Sequence, residues 1–132
     1  MSDSKPNDVT SPSEATAIQI VQIKYMLMAA DMPRAVRFFE EVFGLTRRFV
    51  SDHWSELTWG DAVVALHGGH SGKDHPTGLS IQVKDAAAAC ERIARSGGRI
   101  MAGPRQRPGE PIRLADVADA EGNLFFVTEF VG

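Results

Sequence analysis

Among 132 residues the chain has a single cysteine, Cys90. That excludes an intramolecular disulfide framework and any multi-cysteine zinc site. No apolar run approaches the roughly 18 residues a membrane span requires. The N-terminus, MSDSKPNDVTSPSEAT, has no apolar stretch to serve as a signal peptide. A basic cluster is missing too: 14 Lys and Arg are mixed with 17 Asp and Glu, for a net charge of −3. Nucleic-acid binding would need Lys and Arg gathered on one face. These absences leave a soluble, cytoplasmic domain that engages neither nucleic acid nor membrane. Apolar residues at 43% and charged residues at 23% are ordinary for a globular protein. Four histidines, His53, His67, His70 and His75, keep metal chemistry open.

Residues 1–16 are rich in Ser, Asp, Pro, Asn and Thr and have almost nothing to bury, so a disordered tail is expected there. The folded part is expected as one domain over 17–132. From Ala17 to Ala30 the pattern is β-branched and then alternating, as in a strand with two unlike faces. Asp31 is an N-cap, Pro33 suits a first helical turn, and Ala35, Val36, Phe39, Val42 and Phe43 form one helical face ending at Gly44. Strands are expected over 46–51, 54–59 and 62–67, with turns at 52–53 and 60–61. Residues 68–76 have loop composition. The pattern then restarts, with a strand over 77–83 and a helix from Ala86 to Arg95, capped by Asp85 and ended by Gly97-Gly98. Residues 99–101 form a short strand, and GPRQRPGEP (103–111) is too rich in Pro and Gly for regular structure. Strands over 112–117 and 124–130 flank the turn DAEGN (119–123).

The order is β-α-β-β-β, twice. Asp31 precedes Gly44 by thirteen residues, and Asp85 precedes Gly98 by the same interval. A shift of 54 superimposes both pairs and sets Val36 on Cys90 and Phe39 on Ile93. An internal duplication outranks individual motifs in deciding a fold. The modules run over 17–70 and 76–132.

The segments KYMLMAADMPRAVRFFEEVFGL (24–45), LSIQVKDAAAACERIARSGGRI (79–100) and VADAEGNLFFVTEF (117–130) carry a family resemblance. The chain resembles the vicinal oxygen chelate superfamily, which includes glyoxalase I, bleomycin-resistance proteins and extradiol dioxygenases. Phe38-Phe39 stands where the family has Phe-Tyr, and Ala120 replaces the Pro of its Asp-Pro-x-Gly-Asn turn. The resemblance implies an α+β fold of two tandem βαβββ modules forming a cupped mixed sheet, commonly in a homodimer.

It also implies where a metal would sit. Family enzymes hold a divalent ion with His, Gln or Glu on the first and last strands of both modules. Here those places fall on Lys24, Ala65, Gly78 and Phe126. A charged ammonium repels a cation, and the other three side chains offer no donor atom. No metal and no cofactor is therefore expected. A shifted site through His67 with Glu56 or Glu129 stays open, although parity puts Thr128 rather than Glu129 in the cup. His53, His70 and His75 have loop surroundings and are expected in solvent.

Strand parity sends Lys24, Met26, Met28, Trp54, Glu56, Thr58, Val63, Ala65, His67, Ser80, Gln82, Leu124, Phe126 and Thr128 into the cup, with Leu57 and Trp59 in the core. The Pro-rich loop and Arg113 edge it. A lining that is mainly apolar, with a few polar groups, suits a small organic molecule. Methionines adapt to flat shapes, and Trp54 and Phe126 stack on aromatic ones. Lys24 either pairs with Glu56 or meets a ligand anion. The expected function is a metal-free binding protein holding a partly aromatic molecule in the cup, of sequestration or resistance type. The alternative is an enzyme, using Lys24, Glu56 and His67 for acid–base chemistry or displaced metal ligands.

Overall fold

The structure is a computed structural model describing residues 16–132. Residues 1–15, most of the expected tail, lie outside the described residues. Ten elements follow in order: β1 (Tyr25–Met28), α1 (Met32–Phe43), β2 (Thr46–Val50), β3 (Trp54–Trp59), β4 (Ala62–His67), β5 (His75–Val83), α2 (Ala86–Arg95), β6 (Arg99–Gln106), β7 (Ile112–Ala118) and β8 (Asn123–Phe130). They form two four-stranded mixed sheets of identical topology, β1-β4-β3-β2 and β5-β8-β7-β6. In each, the first strand runs parallel to the last and the other pairs are antiparallel. This is the expected α+β fold of two βαβββ modules.

The two helices repeat each other in detail. Asp31 accepts from Arg34 N at 3.1 Å and Asp85 from Ala88 N at 3.0 Å, the same capping bond in each module. Gly44 closes α1 in the left-handed region at φ 69°. The buried residues of α2 are Ala86, Cys90 and Ile93; Met32, Val36 and Phe39 occupy the matching places in α1. Burial raises the Cys90 thiol above its ordinary pKa, which makes it inert rather than reactive.

Both helices and one face of each sheet share a single core, which includes Leu27, Leu57 and Leu66 from sheet one and Val117, Phe125 and Val127 from sheet two. Phe38, Phe39 and Phe43 of α1 stand 6.5, 6.2 and 6.1 Å from Phe125, so α1 packs on the second sheet as well as on its own. The turn 119–123 fastens the modules together. Fully buried Glu121 accepts from Ala30 N and Asp31 N, both at 2.8 Å, and from Arg34 Nε at 2.6 Å. The Asn123 side-chain amide bonds both backbone groups of Met28, at 2.9 and 2.8 Å, extending β1 by one rung. Gly122, at φ 87°, has the carbonyl oxygens of Gly72 and Lys73 2.5 Å from where a Cβ would lie.

Three expectations need correction. The first strand does not span 17–30: β4 begins at Ala62, and its pairing with β1 starts at Tyr25↔Val64. In that parallel register Ala62 lies level with Ile23, so residues 17–22 have no strand to pair with, and Val21 is fully exposed. The region 103–111 is not wholly irregular, because β6 continues to Gln106 through Gly103 and Pro104. It is an edge strand with two register shifts against β7, where a residue lacking an N–H is tolerated. Trp59 is not a core residue; it is 68% exposed.

Candidate functional site

Each sheet has a second face that takes no part in the shared core. On sheet one the register aligns Met26, Ala65 and Glu56 in one row and Met28, His67 and Trp54 in the next. Alternation of side chains therefore brings Lys24, Met26, Met28, Trp54, Glu56 and His67 onto one helix-free face. On sheet two Ser80, Phe126 and Asp116 form the corresponding row, followed by Gln82, Thr128 and Leu114. Arg113 does not join them. It lies on the helix side, 3.1 Å from Glu129, whose other oxygen accepts from Ala86 N at the start of α2. Arg113 does not edge the cup because, within β7, it shares the parity of Ala115 and Val117, both buried in the core.

The centre of the sheet-one face is Glu56, whose side chain is only 10% exposed. Its Oε2 accepts from Lys24 Nζ at 2.7 Å and Trp54 Nε1 at 2.8 Å. Its Oε1 accepts from Arg48 Nε at 3.0 Å and Nη2 at 2.6 Å. Hydrogen bonds from Lys24, then Trp54, then Arg48 hold its carboxyl well below the usual range, at about 2. Lys24 also lies over the Trp54 ring, 5.9 Å from its centroid. Arg48 was not found by sequence reasoning. Adjacent Arg47 and Arg48 must point to opposite faces of β2, and they do: Arg47 pairs with Glu40 of α1 at 2.6 Å.

His70 is exposed, as its loop surroundings imply, yet it meets a cup residue. Its Nε2 is 2.9 Å from His67 Nδ1, and the His67 ring meets Trp54 edge-on, with centroids 6.2 Å apart. A further apolar groove of about 470 Å³ lies between the end of α1 and β5, bordered by Phe43, Leu45, Trp59, Val64, Leu79 and Ile81. Ser80 and Gln82 reach its rim.

The residues present do not fit the metal that the fold family implies. Lys24 is committed as a cation to Glu56, Gly78 sits at φ 79° with no side chain, and Ala65 and Phe126 carry no donor. The displaced alternatives fare no better, since the four bonds to Glu56 occupy both its oxygens and Glu129 serves α2 and Arg113. Among the described residues no group of three or more His, Cys, Asp or Glu could hold a metal ion. Nor, among them, is any helix long and apolar enough to cross a membrane.

Curated proteins give no match to the chain. Solved structures do. It is similar to the fosfomycin resistance protein FosX from Listeria monocytogenes, with a TM-score of 0.70 at 15% identity, covering 85% of this chain and 94% of that one. FosX from Mesorhizobium loti is similar at a TM-score of 0.66 and 21% identity, covering 84% and 93%. A glyoxalase/bleomycin resistance protein/dioxygenase family enzyme from Burkholderia phytofirmans PsJN gives 0.63 at 16%, covering 80% and 94%. At these identities the likeness is one of fold. The family model for the Glyoxalase/Bleomycin resistance protein/Dioxygenase superfamily matches residues 19–127, nearly the whole described chain, and the protein belongs to that superfamily.

Proposed function

We propose that the chain is a metal-free, cytoplasmic member of its superfamily that binds a partly aromatic organic molecule against the helix-free face of sheet one. It acts by sequestration or resistance, and the FosX proteins among its structural neighbours are consistent with the resistance side. The observation that carries the reading is the chemistry of Lys24, Ala65, Gly78 and Phe126, none of which can donate an electron pair to a metal in this setting. Around them stand Met26, Met28 and Trp54 with a few fixed polar groups, the make-up of an organic-ligand site. An acid–base enzyme would ask Glu56 to take up protons near neutral pH, and a carboxyl held at about 2 does so poorly.

One domain over 17–132, with modules 17–70 and 76–132, is supported by the core they share. Both helix-free faces turn away from that core, and Met26 and Phe126 are 46% and 38% exposed. A homodimer closes the site: the second copy lays the face bearing Ser80, Gln82 and Phe126 over that of sheet one. Light scattering at micromolar concentration reads this directly, a dimer being expected and a monomer contradicting it. Metal analysis of protein purified without chelator tests the central reading. Trace content is expected, and one transition-metal ion per chain overturns it.

A further inference from the structure

The two helix-free faces share a charged motif, and one difference between its two copies is informative. Met26 and Ser80 are 54 residues apart, the interval that separates the helix caps. Glu56 reaches Met26 through Ala65, and Asp116 reaches Ser80 through Phe126, so the two acids occupy equivalent places. Each takes an arginine from its edge strand: Arg48 meets Glu56 at 2.6 Å and Arg105 meets Asp116 at 2.9 Å. On sheet two that one-to-one pair is complete, because the place equivalent to Lys24 is Gly78. Sheet one adds Lys24 to a carboxylate that its arginine already neutralises. The Lys24–Glu56–Arg48 cluster therefore carries a formal charge of +1, and the Arg105–Asp116 pair carries none.

That surplus is permanent at neutral pH, because Glu56 stays ionised far below it. It is also available. The Lys24 side chain is 39% exposed and spends one hydrogen bond on Glu56, leaving N–H groups free beside Trp54. A neutral ligand would gain nothing from an unbalanced cation there, whereas an anion would complete the cluster.

We propose that Lys24, backed by Arg48, receives the negative group of the ligand while a flat apolar body lies against Trp54, Met26 and Met28. The ligand class is thus an aromatic monoanion, a carboxylate or phenolate. This rests on the binding-site reading above and narrows it.

Calorimetric titration of the full-length protein at low ionic strength with 2-naphthoate and its neutral counterpart 2-naphthamide separates the two claims. Naphthoate is expected to bind at least tenfold more tightly, with the preference shrinking as salt is added. Lys24→Met is expected to bring the ratio to about one, and Lys24→Arg to retain it, with circular dichroism confirming that each folds. Equal binding of the two probes by the unmodified protein overturns the anion claim and leaves small-molecule binding standing. Binding of neither overturns both. Displacement of naphthoate by an equal concentration of inorganic phosphate marks a simple anion site and overturns the aromatic part.

Discussion

Glu56 is where the chemistry of single residues is most exposed to test. Its carboxyl is held at about 2 in the folded protein against an ordinary value of 4.5. The unfolded chain therefore binds more protons between those values, and stability from this group is complete above about pH 4.5 and lost as the pH falls toward 2. Urea midpoints compared for the unmodified protein and Glu56→Gln should differ most near neutrality and converge in acid; a constant difference would contradict the assignment. Gly98 tests packing instead. A Cβ there meets Ile93 Cγ2 at 2.5 Å, the Ala118 carbonyl oxygen at 2.6 Å and Phe38 at 3.0 Å. Because one of these is backbone, Gly98→Ala should cost about 1–3 kcal/mol in chemical denaturation.

The elements were legible where a local chemical signal defined them. Asp31 and Asp85 each announce a helix, and each caps one through the same bond; replacing either by Ala should cost about 1 kcal/mol of unfolding free energy, nearly equally in the two modules. What stayed hidden depends on pairing. Residues 17–22 are β-branched and apolar enough to be a strand, but in the parallel register they lie before the start of β4 and have nothing to pair with. Gly103 and Pro104 read as a loop, yet an edge strand accommodates both. Site residues followed the same division. Parity assembled Lys24, Glu56, Trp54 and His67 correctly on one face. It could not find Arg48 without the register of β2, nor His70, whose loop turns back toward His67.

For the whole molecule, the repeat predicts two equivalent halves, and the turn 119–123 makes them one body. Glu121 alone holds two backbone amides at the start of α1 and the Arg34 side chain. Glu121→Ala should therefore cost about 3 kcal/mol, and unfolding should remain a single transition only while the modules stay joined. Nuclear magnetic resonance shows whether the helix-free face of sheet one holds an organic ligand without metal. Metal-stripped protein carrying 13C-methyl methionine and 15N tryptophan is titrated with 2-naphthoate. Saturable shifts of the Met26 and Met28 methyls and the Trp54 indole are expected, while the core methyl of Met32 and the exposed Met101 stay still. Shifts confined to Trp59 and the apolar groove, or appearing only after a divalent metal is restored, would contradict it.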